Sequence, residues 1–457
     1  MAIMVEAGPH LGVGDASGAT VQQAARLRGD IALPGDKSIS HRALMLALLA
    51  RGESRVSAAS DGADVRSTAA IARALGATVT RSPAAGMEPG RVDYAVSSPG
   101  AAGLHAPAST LDCGNSGTTL RLFAGILAGL PLEAVLDGDD SLRGRPVARI
   151  IEPLRAMGAA LSGRRQDSLP PVTVVGRTPL QAIDWTTAVP SAQVKSAILL
   201  AGLRADGTTT VREAIATRDH TERMLRARGV TVRSIAQANG GATIEIEGGA
   251  DVRTTETLVP GDPSAAAFWL VAGTVHPDAE LHLAGVGVNP TRRGAIDLLR
   301  AMGASIDEKG ERLASGEPVA DLTIRSSELR AIDVSAADSA RAIDEIPILC
   351  LAATQAAGTT RIRGIGELRV KESDRVAGIV VGLRALGAEL EVDGDDLVIN
   401  GPTRLRGATV ESAGDHRLAM TFAIAGLLAE GSTTVLGADS AAISDPGFFG
   451  QIEEART

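Results

Sequence analysis

Charged and hydroxyl side chains gather just ahead of apolar stretches in this chain, a placement suited to holding anions. Pro34-Gly35-Asp36-Lys37-Ser38-Ile39-Ser40-His41-Arg42 precedes the apolar stretch 43–50. Ser38 or Ser40 can cap the helix that stretch forms, leaving free N–H groups and the charges of Lys37 and Arg42 for a ligand. A capped helix with surface cations describes the same residues, so this stretch alone leaves both readings open. Asn115-Ser116-Gly117-Thr118-Thr119-Leu120-Arg121 is a small-residue loop opening a helix, where Gly117 lets a ligand approach the backbone; a plain turn is the alternative. Asp139-Asp140-Ser141-Leu142-Arg143-Gly144-Arg145-Pro146 sets two arginines beside a turn, suited to forked contacts with carboxylate or phosphate, or simply to solvent. Ser191-Ala192-Gln193-Val194-Lys195-Ser196 has Ser191 as N-cap and a lysine in the first turn, where it opposes the helix dipole and favours a ligand anion. Arg369-Val370-Lys371-Glu372-Ser373-Asp374-Arg375 crowds five ionisable groups ahead of a helix starting at Val376, a pattern that also fits a solvated helix face.

The elements that must position these groups recur along the chain. Arg73-Ala74-Leu75-Gly76, Arg155-Ala156-Met157-Gly158, Arg226-Ala227-Arg228-Gly229, Arg300-Ala301-Met302-Gly303 and Arg384-Ala385-Leu386-Gly387 each end a helix at a left-handed glycine before a strand-like run. A second pattern, an apolar helix followed by a Thr/Val strand, occurs at 48–56, 203–211, 352–362 and 427–435, with looser copies at 126–135 and 271–283. Ahead of these six helices stand Ser38, Ser116, Ser191, Ser264, Asp344 and Asp415, spaced by roughly 70–80 residues, so the chain reads as six units. The residues at the helix starts are repeatedly ligand-capable, among them Lys37, Arg42, Gln193, Lys195, Asp344, Glu345, His416 and Arg417. Several helix N-termini facing one cleft would focus an anion-attracting field.

Composition narrows the ligand class. The 457 residues suggest two or three domains, and with only 2% aromatics the core must be built from Ala, Val, Leu and Ile. A net charge of -9 argues against nucleic-acid or anionic-membrane binding and for small, specific substrates held by local cations. Cys113 and Cys350 form no disulfide framework or metal spacing, which predicts a reducing cytoplasm. Residues 1–14 carry no basic leader pattern, and no apolar run approaches the ~18 residues of a membrane helix. No Walker A, strand-coupled G-x-G-x-x-G or H-E-x-x-H sequence is present, so no metal or nucleotide cofactor is expected.

Taken in order, residues 34–42, 114–122, 139–146, 191–203, 369–375 and 414–420 resemble the 5-enolpyruvylshikimate-3-phosphate synthase family of enolpyruvyl transferases over nearly the whole chain. The resemblance implies an α/β fold, a two-lobed inside-out barrel of six βαβαββ-type repeats, three per lobe. Residues 1–34 plus 260–457 would form the discontinuous first lobe and 35–259 the inserted second, with hinges near Pro34-Gly35 and Val259-Pro260-Gly261 and the site in the cleft between them. It implies joining of shikimate 3-phosphate to phosphoenolpyruvate, with release of phosphate through a tetrahedral intermediate and no cofactor. Lys37, Ser38, Arg42, Ser191, Ala192, Gln193, Arg218, Asp344 and Lys371 would hold shikimate 3-phosphate. Lys37, Gly117, Arg145, Gln193, Arg375 and Arg417 would hold phosphoenolpyruvate. Asp344 would accept the proton of the attacking 5-hydroxyl and Glu372 protonate the methylene carbon, with Lys371 beside Glu372 as one means of separating the two carboxyl pKa values. Glyphosate inhibition and a cytoplasmic monomer are further implications.

Two departures from the family pattern stand out. Ile443-Ser444-Asp445-Pro446 replaces a stretch that carries a lysine in some members, and Arg218, in Thr217-Arg218-Asp219-His220-Thr221-Glu222, stands where others have tyrosine. The related transferase acting on UDP-N-acetylglucosamine uses a loop cysteine, a role that neither Cys113 nor Cys350 suits. A non-catalytic repeat scaffold would scatter its charges over outer helix faces instead of gathering them at helix starts.

Overall fold

The computed structural model describes residues 18–84 and 90–456, and the reading of residues 1–14 lies outside the described residues. The chain divides into two compact units. One comprises Gly35–Pro260 with Leu313–Glu317; the other comprises the segment ending at Pro34, then Gly261–Arg312 and Pro318–Thr457. Among the described residues no helix is long and apolar enough to cross a membrane.

Each unit is built on three almost wholly buried helices. In the first these are Lys37–Leu49, Gly117–Ala128 and Ala192–Gly202, and in the second Pro263–Val275, Ile346–Gln355 and His416–Leu428. They are apolar on all sides, as helices enclosed by other elements must be. Within a unit they pack on one another, and each also packs on a sheet. Small residues set the spacing: a Cβ on Gly125 would lie 2.2 Å from the carbonyl oxygen of Ala197, so only glycine lets the Gly117 and Ala192 helices approach so closely.

Five four-stranded sheets share one order. In the first, Glu256–Leu258 runs parallel to Arg51–Ser60, which pairs antiparallel with Arg91–Pro99, itself antiparallel to Thr78–Pro83. Among the described residues a further sheet has three strands, with Gly18–Gln22 and Thr409–Glu411 flanking Ser432–Leu436, and a small one pairs Leu180–Gln181 with Ala205–Asp206. Strand burial alternates, as in the iBiBeBeBe pattern of Arg91–Pro99, because one face covers the helices and the other meets solvent.

The R-A-x-G repeat proves to be a joint. Its five glycines, Gly76, Gly158, Gly229, Gly303 and Gly387, all have positive φ, between 82° and 112°. Its arginine bonds the backbone of the strand it introduces, always six residues on. Arg73, Arg155, Arg226 and Arg384 donate through Nε to the carbonyls of Val79, Leu161, Val232 and Leu390, and Arg300 donates through Nη2 to Ile306. The arginine therefore fixes the angle at which the chain leaves the helix.

Two Pro-Gly-Asp segments stand at two of the points where the chain passes between units; the others bound Leu313–Glu317. Asp36 caps its helix by accepting from the Ile39 N–H at 2.8 Å, and Asp262 accepts from the Ser264 N–H at 2.7 Å. This corrects the expected caps. Ser40 instead donates to the Asp36 carbonyl, and Ser264 is already inside its helix. Each glycine meets a β-bulge. A Cβ on Gly35 would stand 2.2 Å from Ala58 O, while Gly261 exchanges bonds of 2.8 and 2.9 Å with Gly285 and Gly287.

Candidate active site

In the unit containing Gly35–Pro260, side-chain bonds tie three helix starts together. Arg42 reaches Thr221 Oγ1 through Nε at 2.7 Å and Ser196 Oγ through Nη2 at 2.8 Å, joining the Lys37 helix to the Ala192 helix. Gln193 donates to Thr118 Oγ1 at 2.9 Å and accepts from Arg121 Nη1 at 2.6 Å, joining the Ala192 helix to the Gly117 helix. Ser191 caps its helix through the Val194 N–H, which leaves Ala192 and Gln193 in the first turn. Three positive helix ends thus converge with Lys37, Arg42, Arg121 and Arg145.

Lys37 sits 3.1 Å from Asp64 Oδ2. Arg145, with relative exposure of only 6%, donates to Asn115 and Ser141, whereas Arg143 of the same motif pairs with Asp137 at the surface. Ser38 stands beside Lys37 in the first turn, its carbonyl accepting from Arg42 at 2.9 Å. Burial pushes the Arg42 guanidinium down to about 10, and the charge of Arg218 adds to this against the opposing effect of Glu222. The charges of Arg218 and Arg42 therefore oppose one another. His41 is held neutral by burial and by Lys37 and Arg42, and its Nδ1 lies 2.7 Å from Thr68 Oγ1.

Lys195 departs from its expected part. It is buried between Glu213 and Glu222, 2.9 Å from each. Burial works against its charge, but the two glutamates more than offset that and raise its pKa. Its charge is balanced within the protein, so it does not point to a ligand. Arg121, by contrast, received no role from its motif. Its guanidinium lies 2.6 Å from where a Gly117 Cβ would be, with Arg145 Nη1 at 3.4 Å. A cation five residues past the Ser116 cap was the available signal.

The other unit repeats the convergence with a different balance of charge. Ser264 Oγ donates to Glu345 and accepts from Arg292 Nη2 at 2.6 Å, and Arg417 Nη1 lies 3.9 Å from Glu345, so the Pro263, Ile346 and His416 helices meet at one carboxylate. Arg375 is 1% exposed and surrounded by acids: Asp415 at 2.7 Å, Glu372 at 2.6 Å and Asp344 at 3.6 Å. Burial opposes ionisation of Asp415, but Arg375 and His416 outweigh it and hold the carboxyl below its usual range. Lys371 Nζ lies 3.4 Å from Asp344 Oδ1. Lys371 thus pairs with Asp344, while Arg375 meets both Glu372 and Asp344.

The family model described as EPSP synthase (3-phosphoshikimate 1-carboxyvinyltransferase) matches residues 21–452. The chain belongs to the EPSP synthase family. The 3-phosphoshikimate 1-carboxyvinyltransferase of Gloeobacter violaceus is 51% identical over 438 residues, covering 96% of this chain and 98% of that protein. Its counterpart from Roseiflexus is 50% identical, covering 93% and 96%. The solved EPSP synthase from Acinetobacter baumannii has a TM-score of 0.83 at 39% identity, covering 96% of this chain and 98% of that one. The enolpyruvyl transferase NikO from Streptomyces tendae, at 19% identity and a TM-score of 0.75, covering 95% and 96%, shares the EPSP synthase fold.

Proposed function

We propose that this chain transfers the enolpyruvyl group of phosphoenolpyruvate to the 5-hydroxyl of shikimate 3-phosphate, releasing phosphate, a step towards chorismate and the aromatic amino acids. The observation that carries this reading is the complementary chemistry of the two helix-start clusters, one dominated by cations and the other mixing cations with carboxylates, in a chain of this family. Both substrates bear a phosphate and a carboxylate, and bringing such charges together requires preorganised cations.

Lys37, Ser38, Arg42, Ser191, Ala192, Gln193, Arg218 and Lys371 hold shikimate 3-phosphate in this proposal. Lys37, Gly117, Arg145, Gln193, Arg375 and Arg417 hold phosphoenolpyruvate. Asp344 accepts the 5-hydroxyl proton as that oxygen attacks C2, and Glu372 protonates C3, giving a tetrahedral adduct. Loss of a C3 proton and of phosphate then restores the double bond. The expected inside-out arrangement, applied to each unit separately, is supported by sheets packed over three buried helices. A cytoplasmic location and action as a monomer belong to the same reading, supported by cysteine usage and family likeness respectively.

The rival transferase chemistry needs a reactive loop cysteine. Burial pushes both the Cys113 and Cys350 thiols up, so neither supplies a thiolate. Turnover in deuterium oxide tests the proposal: the product methylene should acquire deuterium, because C3 becomes a methyl group in the adduct. Deuterium-free product would overturn the addition step, and undiminished incorporation by Glu372→Gln would remove Glu372 as the acid.

A further inference from the structure

A basic pocket open to the surface lies in the unit containing Gly35–Pro260, formed by residues that the transfer reaction does not use, with Arg66, Arg73 and Arg81 all exposed. It has a volume of about 250 Å³ and is lined by Arg66, Ala69, Arg73, Arg81 and Tyr94. Arg66, Ala69 and Arg73 share one face of the helix Ala63–Ala74, at spacings of three and four. Arg81 and Tyr94 are directly opposed across the antiparallel pair Thr78–Pro83 and Arg91–Pro99, so their side chains share a sheet face.

The charges do not cancel. Asp61 bridges Arg66 and Arg81, with Arg66 donating at 3.0 and 2.8 Å, and Arg73 gives its Nε to Val79 O. Burial works against the Asp61 charge, but its bonds to Arg66 and Arg81 outweigh that and keep it ionised. Among the described residues lining the pocket, three guanidiniums thus face one carboxylate. The phenol of Tyr94 stands among them: besides burial, the groups acting on it are Asp61, Arg81, Arg66 and Arg73. Its side chain is 2% exposed, and its buried Oη has no hydrogen-bond partner. Burial raises its pKa, so it remains a donor.

We propose that the pocket walled by Arg66, Arg73, Arg81 and Tyr94 binds a small phosphate-bearing anion. Volume sets the size, since drug-sized ligands occupy roughly 300–1,000 Å³. Charge and donor number set the class. Asp61 already meets the demand for one carboxylate, and what remains is an excess of guanidinium donors, which suits an oxyanion of higher charge with several acceptor oxygens.

Tyr94 is the single tyrosine of the chain, so it reports on this pocket alone. The test uses the full chain with [ζ-¹³C]tyrosine, titrated by NMR with inorganic phosphate and, separately, with glycerol 3-phosphate. Potassium chloride at matched ionic strength is the control. A saturable shift is expected with at least one phosphate compound and not with chloride, and the one acting at lower concentration identifies free phosphate or a monoester as the source. Arg66→Gln should raise the midpoint at least about fivefold. Arg81→Gln, on a different element, should do the same, which keeps the test decisive if one variant folds poorly. No saturable shift with either compound, the same shift in chloride, or unchanged midpoints in the folded variants would overturn the site.

Discussion

Lys371 reaches Asp344, its Nζ 3.4 Å from Oδ1, while Glu372 next door is bound to Arg375 at 2.6 Å. The two carboxylates proposed as base and acid therefore share Arg375, which lies 3.6 Å from Asp344, and Lys371 adds a second cation on the Asp344 side. Asp344→Asn keeps size and polarity but removes the proton acceptor. We predict a fall in kcat of at least about a hundredfold, with the calorimetric Kd for shikimate 3-phosphate changed by less than about tenfold. A parallel loss of binding and turnover would make Asp344 a binding group only.

Gly117 faces Arg121 at a distance that leaves no room for a methyl group. Gly117→Ala should displace that guanidinium, raise KM for phosphoenolpyruvate several-fold and weaken glyphosate inhibition by about tenfold or more, the order of effect expected from disturbing a charge-assisted contact. Inhibition assays at fixed shikimate 3-phosphate measure both. An unchanged inhibition constant would place the inhibitor elsewhere.

Lys195 is a structural ion. Lys195→Met strands two buried glutamates and should cost about 3–5 kcal/mol in urea unfolding, whereas adding Glu213→Gln and Glu222→Gln should recover much of it, since the loss comes from unpaired buried charge. A cost below about 1 kcal/mol would show that water already compensates the pair.

Asp445 gives the fold a pH dependence. Burial pushes its carboxyl up to about 7, the Gly447 N–H opposes this and Asp262 adds to it. The folded state therefore retains a proton that the unfolded chain loses near pH 4, so this group's contribution to stability falls as pH rises from about 4 and levels off above about 7. Asp445→Asn should leave stability near pH 4 unchanged and gain on the native chain as pH rises, by up to about 4 kcal/mol at pH 8. A constant difference between pH 4 and 8 in urea titrations would contradict this.

The repeated features were the most legible. Five R-A-x-G joints and six buried helices follow from glycine chemistry and apolar runs, which are local properties. Capping was less so: Ser38 and Ser40 looked like caps, but the helix begins at Lys37, which puts both serines inside it and leaves Asp36, two positions before Ser38, to accept from the Ile39 N–H. Charge pairing was least legible. Glu213 and Glu222 lie 18 and 27 residues beyond Lys195, and only the folded chain brings them to its ammonium. For the same reason Arg121, whose partner Gln193 is 72 residues away, stayed unassigned.

The most direct measurement of the central claim is phosphate release by the purified chain with both substrates present, and again with each one omitted. The account predicts release with phosphoenolpyruvate and shikimate 3-phosphate together, matched by enolpyruvyl product, and none with either alone. Release from phosphoenolpyruvate alone, or none with both, would contradict it.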